Sequence, residues 1–235
     1  MTRGTPAPVS RRERPAKPAL TRAGIVAAAL EVMRAEGLGR VTMRRLAQQL
    51  DTGAASLYVY VRNTAELHAL MLDELLAGLD LSPVTAKGNW RDRLVAVLWS
   101  YAIVLADLPE LAQSALVTRP SGAGYLNLVD GLLALLSVEV PADRASWAVD
   151  LLLHFATSTA AEQGTRERAI DAQEEEARLA EVIGTASAAT YPHIAALGQD
   201  LLSGAGPDRL SWGFNVLITG ILQTPRPVPG APSTP

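Results

Sequence analysis

Apolar residues recur with helical spacing along almost the whole chain, and no stretch alternates in the way a strand would. Behind Thr21, the residues Ile25, Val26, Ala29, Leu30 and Met33 fall on one face and stop at Gly37. Threonine suits the N-cap of such a helix and glycine its end. Met43, Leu46, Ala47 and Leu50 repeat the spacing behind Thr42, and the stripe resumes at Leu57 and Val61 after Asp51-Thr52-Gly53. Two short helices separated by so tight a turn must cross and share one small core. Asn63 with Glu66 three residues on has the form of a capping box, opening a connector helix predicted over 64–79 with Leu67, Leu70, Met71 and Leu75 on its face.

Helical periods return over 90–106, 109–118, 122–137, 142–163, 191–202 and 207–223, parted by breakers such as Leu108-Pro109, Pro141 and Tyr191-Pro192. Residues 164–190, with Glu174, Glu175 and Glu176 among small residues, read as a partly helical surface loop or a lid. The pattern predicts an all-α protein. An N-terminal three-helix unit over 20–64 is joined by the connector helix to an all-helical body over 65–223. A proline-rich basic arm over 1–19 and a tail over 224–235 flank it and are expected to be disordered.

Composition narrows the chemistry. At 235 residues with 49% hydrophobic content the chain can bury a large helical core. It has no cysteine, which removes disulfides, thiolate chemistry and cysteine-ligated metals, and its three histidines (His68, His154, His193) are too scattered for a local metal motif. No apolar run approaches the roughly 20 residues of a spanning helix, and no hydrophobic segment follows the basic N-terminus. The expectation is a cytoplasmic protein without membrane partner or cofactor. Charge is segregated: residues 1–64 hold 11 Lys/Arg against 4 Asp/Glu, whereas residues 65–235 hold 10 against 20. A basic head on an acidic body points to a polyanion bound at one end only.

The paired short helices supply the means. Arg44, Arg45, Gln48 and Gln49 fall off the apolar stripe, and the second helix carries small residues followed by Tyr58 and Tyr60. A slim face bearing phenolic hydroxyls can enter a major groove and reach base edges or phosphates. The candidate face for double-stranded DNA comprises Thr42, Arg44, Arg45, Thr52, Ala54, Ala55, Ser56, Tyr58, Tyr60 and Arg62.

With TMRRLAQQL, a three-residue turn and SLYVYVRN, the chain resembles the TetR family of transcriptional regulators from Leu20 to Gln223. NWRDRL, VTRP, HF followed by AEQ, YPHIAAL and SWGFNVLITGI look like the tetracycline-repressor branch. The resemblance implies a ligand-responsive repressor. It makes Arg44 a groove or phosphate contact, places Ala54, Ala55, Ser56, Tyr58 and Tyr60 on the recognition helix, and gives Tyr58 a phosphate-facing role. Two departures stand out. Asp51 occupies the usual turn glycine, although Asp tolerates a left-handed backbone better than most residues. Thr64 replaces a lysine that touches phosphate, so the salt dependence should be shallower.

The resemblance also implies homodimerisation through the helices at 142–163 and 207–223, which carry Trp147, Leu151, Leu152 and Phe155, and Leu210, Phe214, Leu217, Ile218 and Ile221. A two-fold dimer would address a palindromic operator. For the effector pocket it nominates Val97, Tyr101, Leu105, Ala115, Thr118, Pro120, Leu128, Val149, His154 and Glu162. Tyr101, Thr118, Pro120 and Glu162 match the branch. Ala115, Val97 and Asp80 stand where it has its magnesium-binding histidine, its drug-binding asparagine and the switch histidine. Glu162 alone cannot hold a hard cation, so magnesium-tetracycline is rejected in favour of an unknown, largely apolar organic effector.

Two other readings compete. An all-helical enzyme could draw on Glu110, Glu162 or Glu174–Glu176 with His154 or His193 as base, but no metal spacing, nucleophile motif or phosphate-cradling loop accompanies them. A ligand-independent DNA binder of the same fold would have a filled rather than hollow body.

Overall fold

The computed structural model describes residues 19–227, and every element within them is helical. The basic arm, apart from Ala19, and the tail beyond Pro227 lie outside the described residues. Helix α1 (Arg22–Glu36) starts where Thr21 accepts the Gly24 N–H at 3.0 Å and ends at Gly37, whose φ of 87° closes it. Helix α2 (Met43–Gln49) starts at Thr42, whose hydroxyl accepts the Arg45 N–H at 3.1 Å. Helix α3 (Ala54–Leu57) is a single turn without a side-chain cap. Asp51 takes a left-handed φ of 48° between them, the conformation the sequence demanded of that position.

Helix α4 (Thr64–Leu76) is capped by Asn63, which accepts the Glu66 N–H at 2.8 Å. The reciprocal half of the capping box is displaced by one residue: Glu66 Oε2 accepts the Arg62 N–H at 2.7 Å instead of that of Asn63. The helix ends at Leu76 rather than near Leu79, because the chain turns tightly through Ala77 and Gly78. Its residues divide between two hydrophobic cores. Leu67 and Met71 complete the head core with Ile25, Leu30, Leu46, Leu57 and Val61, while Leu72 and Leu76 belong to the body core.

The body follows as α5 (Trp90–Ala106), α6 (Pro109–Val117), α7 (Ala123–Leu136), α8 (Ala142–Arg168), α9 (Ala172–Gly184), α10 (Pro192–Leu197) and α11 (Gly206–Gln223). Prolines stand in the first turns of α6, α10 and α11, where a missing N–H costs nothing. The long α8 runs through the centre and packs against α5, α6, α7 and α11. It extends five residues past its predicted end. Gly164 is no breaker here: a Cβ at that position would lie 2.8 Å from the Ala106 carbonyl oxygen, so glycine lets α8 approach the end of α5. The segment read as a loop or lid is largely helical, since the end of α8 and the whole of α9 lie within it, and α9 buries no residue.

Helices α8 and α11 pack antiparallel. Arg144 near the start of α8 donates to the Leu222 carbonyl at 2.6 Å, and Phe155 meets Phe214 edge-on with ring centroids 5.5 Å apart. Of the apolar residues assigned to a dimer face, Leu152, Leu210, Phe214 and Ile218 are buried within the chain and fill its own core. Trp147 and Leu151 remain exposed, joined by Trp212 and Val216, which sequence reading passed over.

Candidate DNA face and effector cavity

The head presents α2, the turn and α3 on one side of its core. Arg44, Ala55, Ser56 and Arg62 are exposed, Tyr58 and Tyr60 are 52% and 37% exposed, and Val59 between them is 81% exposed. Leu57 and Val61 hold this surface from behind, both fully buried. Thr52 and Ala54 are half-buried, and Thr42 is exposed while its hydroxyl is committed to the α2 cap. Arg45 differs from the others. Its Nη2 lies 2.6 Å from Glu36 Oε1 and its Nη1 donates to Gln49 at 3.1 Å, so it ties α2 to the end of α1. That hydrogen bond holds the Glu36 carboxyl below its ordinary range. The sequence places Arg45 on the DNA face; its pairing with Glu36 lies across a turn that periodicity does not resolve.

At the base of the face Glu66 gathers Arg62 and Arg22. Its carboxyl is pulled below the usual range, first by the Arg62 backbone N–H, then by the Arg62 side chain and the charge of Arg22, with burial opposing. These contacts fix the start of α4 against α1.

In the body, Tyr101, Ala115, Leu116, Arg119, Pro120, Tyr125, Asp150, Leu153, His154 and Thr157 surround a cavity of about 40 Å³. Asp150, Leu153, His154 and Thr157 reach it from one face of α8 at spacings of three, one and three residues. That helical register was available in the sequence and overlooked. Burial pushes the Tyr101 phenol up to about 12, so it stays protonated, and its hydroxyl lies 2.8 Å from Thr157 Oγ1. Thr157 in turn donates to the Leu153 carbonyl at 2.7 Å, which leaves Tyr101 as donor in the first bond. Arg119 and Asp150 form an ion pair at the rim.

Four nominated residues, Tyr101, Ala115, Pro120 and His154, come together here. Val97, Leu105, Leu128 and Val149 do not; they are buried among the apolar side chains of the body core, where helical period alone could not tell a wall from a filling. Thr118 faces a separate cleft between α4 and the α6–α7 loop. Glu162 lies on the surface, paired with Arg166 one turn on at 2.7 Å, because eight residues from His154 leave it about 80° round the helix. The resulting lining is more polar than the apolar wall the sequence suggested. Among the described residues no group of His, Cys, Asp and Glu is placed to hold a metal ion.

A further histidine, His68 on α4, is half-buried with Nδ1 at 3.2 Å from Ser114 Oγ of α6. Burial lowers its pKa, against the opposing charge of Glu110. Among the described residues no single helix is long and apolar enough to cross a membrane.

This arrangement recurs in known proteins. Residues 25–70 match the family described as bacterial regulatory proteins, tetR family, and residues 82–224 match the tetracyclin repressor-like C-terminal domain. The chain is 28% identical over 215 residues to the HTH-type transcriptional repressor DrrR1 of Streptomyces coeruleorubidus, covering 88% of this chain and 78% of that protein. Among solved structures, SCO7704 from Streptomyces coelicolor is 51% identical, with 91% of this chain and 100% of that one covered and a TM-score of 0.77. The TetR family protein ActR of Streptomyces coelicolor, crystallised with actinorhodin, is 30% identical, with 87% and 96% covered and a TM-score of 0.77. Head, connector and body thus match as one assembly, and the chain belongs to the TetR family of transcriptional regulators.

Proposed function

We propose that this regulator is a cytoplasmic homodimeric repressor that binds a palindromic operator through Arg44, Ala55, Ser56, Tyr58 and Tyr60 and is released by a small organic effector. The observation that carries the DNA reading is the tyrosine-bearing surface at α3, exposed on the head and flanked by the exposed Arg44. For the dimer, the support is the stripe of Trp147, Leu151, Trp212 and Val216 across antiparallel α8 and α11, large apolar side chains that a monomer would leave in water. The effector enters at Tyr101, Tyr125, His154 and Thr157. A mixed lining of aromatic rings and hydroxyl groups suits an aromatic molecule with hydrogen-bonding substituents, and ActR, a relative of the same architecture, has been crystallised with actinorhodin.

The cavity of about 40 Å³ admits only a few waters, whereas drug-sized ligands occupy roughly 300 Å³ or more. Effector binding must therefore displace its walls, α6 and the start of α7, both of which pack on α4. That displacement is the differential interaction a ligand needs in order to shift the heads. A hundredfold loss of DNA affinity requires about 2.7 kcal/mol of such coupling.

The test is fluorescence anisotropy with duplexes from the DNA upstream of the protein's own gene, over a salt series, using the wild type, Tyr58→Ala and Trp212→Glu. Sequence-preferring, salt-sensitive binding that both substitutions abolish is expected. Binding by a monomer, or equal binding to every duplex, overturns the proposal. The smallness of the cavity at Tyr101 favours a second reading, a repressor that takes no small molecule there; the cleft between α4 and the α6–α7 loop is larger, about 420 Å³. Thermal-shift screening against aromatic hydroxylated compounds separates the two, because only a ligand-responsive protein gains stability from a binder that also lowers DNA affinity.

A further inference from the structure

The connector helix is held by the body at two places besides its apolar stripe. One is His68 against Ser114 of α6. The other is more unusual. Helix α7 starts at Gly122 with no side-chain cap of its own, and the missing acceptor comes from α4: the Asp73 carboxylate takes the Tyr125 N–H at 2.9 Å and, more loosely, that of Gly124 at 3.4 Å. A carboxylate at the first turn of a helix satisfies orphan donors and meets the positive end of the helix dipole.

The approach is close enough to dictate the residues on the other side. A Cβ on Gly122 would overlap the Asp73 carboxylate, and one on Gly124 would overlap the Asp73 carbonyl oxygen and lie 2.7 Å from the Ala77 nitrogen. Two glycines therefore let the first turn of α7 seat directly on the α4 backbone. Tyr125 stands at the junction twice, giving its N–H to Asp73 while its side chain lines the cavity.

We infer that Asp73 is a positioning residue for DNA binding: by capping α7 from the connector helix it fixes the angle at which the head stands on the body, at the point where Tyr125 joins that contact to the cavity. Asp73 is neither a residue of the candidate DNA face nor one that lines the cavity; it lines the cleft between α4 and the α6–α7 loop with Arg62 and Thr118, and its effect is on geometry. The inference deepens the effector-release reading but does not need an effector or a dimer to be tested.

The chain has no cysteine, so Ser56→Cys on the exposed face of α3 and Val138→Cys beyond the end of α7 provide the only two sites for nitroxide labels. Pulsed dipolar spectroscopy on the full chain, diluted into a large excess of unlabelled protein, then reads the head-to-body distance within one chain. The parent should give one narrow distribution. Asp73→Ala should widen it about twofold or more as the head samples further orientations, while Asp73→Asn, which keeps an oxygen for the Tyr125 N–H, should restore most of the narrow distribution. An unchanged width in a cooperatively melting Asp73→Ala protein overturns the inference. If Asp73→Ala does not melt cooperatively, Gly124→Ala decides: the forced separation should shift the mean distance by about 2 Å, and an unmoved mean overturns it. A protein that passes this test yet ignores every duplex would refute the operator reading and leave the joint standing.

Discussion

Glu66 is the most economical place to test how the head is fastened. Its carboxylate accepts the Arg62 N–H at 2.7 Å, meets Arg62 Nε at 3.2 Å and pairs with Arg22, all in the first turn of α4. Glu66→Gln keeps the shape and one oxygen for the backbone bond but removes the charge. Trading a charge-assisted hydrogen bond for a neutral one costs about 1 kcal/mol, and losing a negative charge at a helix N-terminus about 0.3–1 kcal/mol more. The arginine pairs add little, since Arg22 and Arg62 are 53% and 85% exposed. The expected loss is about 2 kcal/mol at neutral pH.

The pH dependence has a definite sign. Because folding depresses the Glu66 pKa, the unfolded chain binds the proton more readily, and the stabilisation is fully present above the ordinary carboxylate value. It is lost as pH falls through the lower folded value. Urea titrations followed by circular dichroism should therefore show a gap between wild type and Glu66→Gln at pH 7 that closes on acidification below about pH 4. A gap below about 0.5 kcal/mol at pH 7, or one that persists unchanged in acid, would refute the reasoning. The same substitution should strengthen DNA binding and steepen its salt dependence, because it frees Arg22 and Arg62 for phosphate.

Three further outcomes follow from individual contacts. His68→Gln should flatten the decline in melting temperature as pH falls below about 6.5, since the wild-type imidazole resists protonation in the folded state and the unfolded chain does not; an identical decline in both proteins would count against it. Gly213→Ala should destabilise by about 1–3 kcal/mol, because the new methyl would press on the Phe155 ring, with Cε1 only 2.8 Å away; a calorimetric scan measures this. Asp51→Val should cost about 1–2 kcal/mol, as a β-branched residue is poorly suited to a φ of 48°, and a melt no lower than wild type would contradict the turn geometry.

Much of the fold was legible because its helices announce themselves locally. Thr21, Thr42 and Asn63 cap the helices assigned to them, and the left-handed turn at Asp51 was readable from the residue in place of glycine. What escaped depends on partners distant in sequence. Gly164 looks like a breaker along the chain, and Gly122 and Gly124 carry no signal in their helical pattern, yet each admits a neighbouring backbone or side chain that no window of residues contains. The cavity suffered similarly. Val97 and Leu128 share the apolar stripes of their helices with true wall residues, and only packing separates the two. Arg119, Tyr125 and Asp150 carry no such signal: Arg119 and Asp150 are charged and fall outside an apolar pattern, and Tyr125 reaches the cavity only through the way α7 seats on α4.

The division of α4 between two cores has a consequence for how such a protein can change. Met71 faces the head core and Leu72 the body core. Each residue advances a helix by 100°, so one inserted or deleted between them would swing one set of anchors away from its partners while leaving the other set in place. The two halves are locked in rotational phase. Recombination that gives this head a new body must exchange the rod whole, or cut it where the phase is preserved.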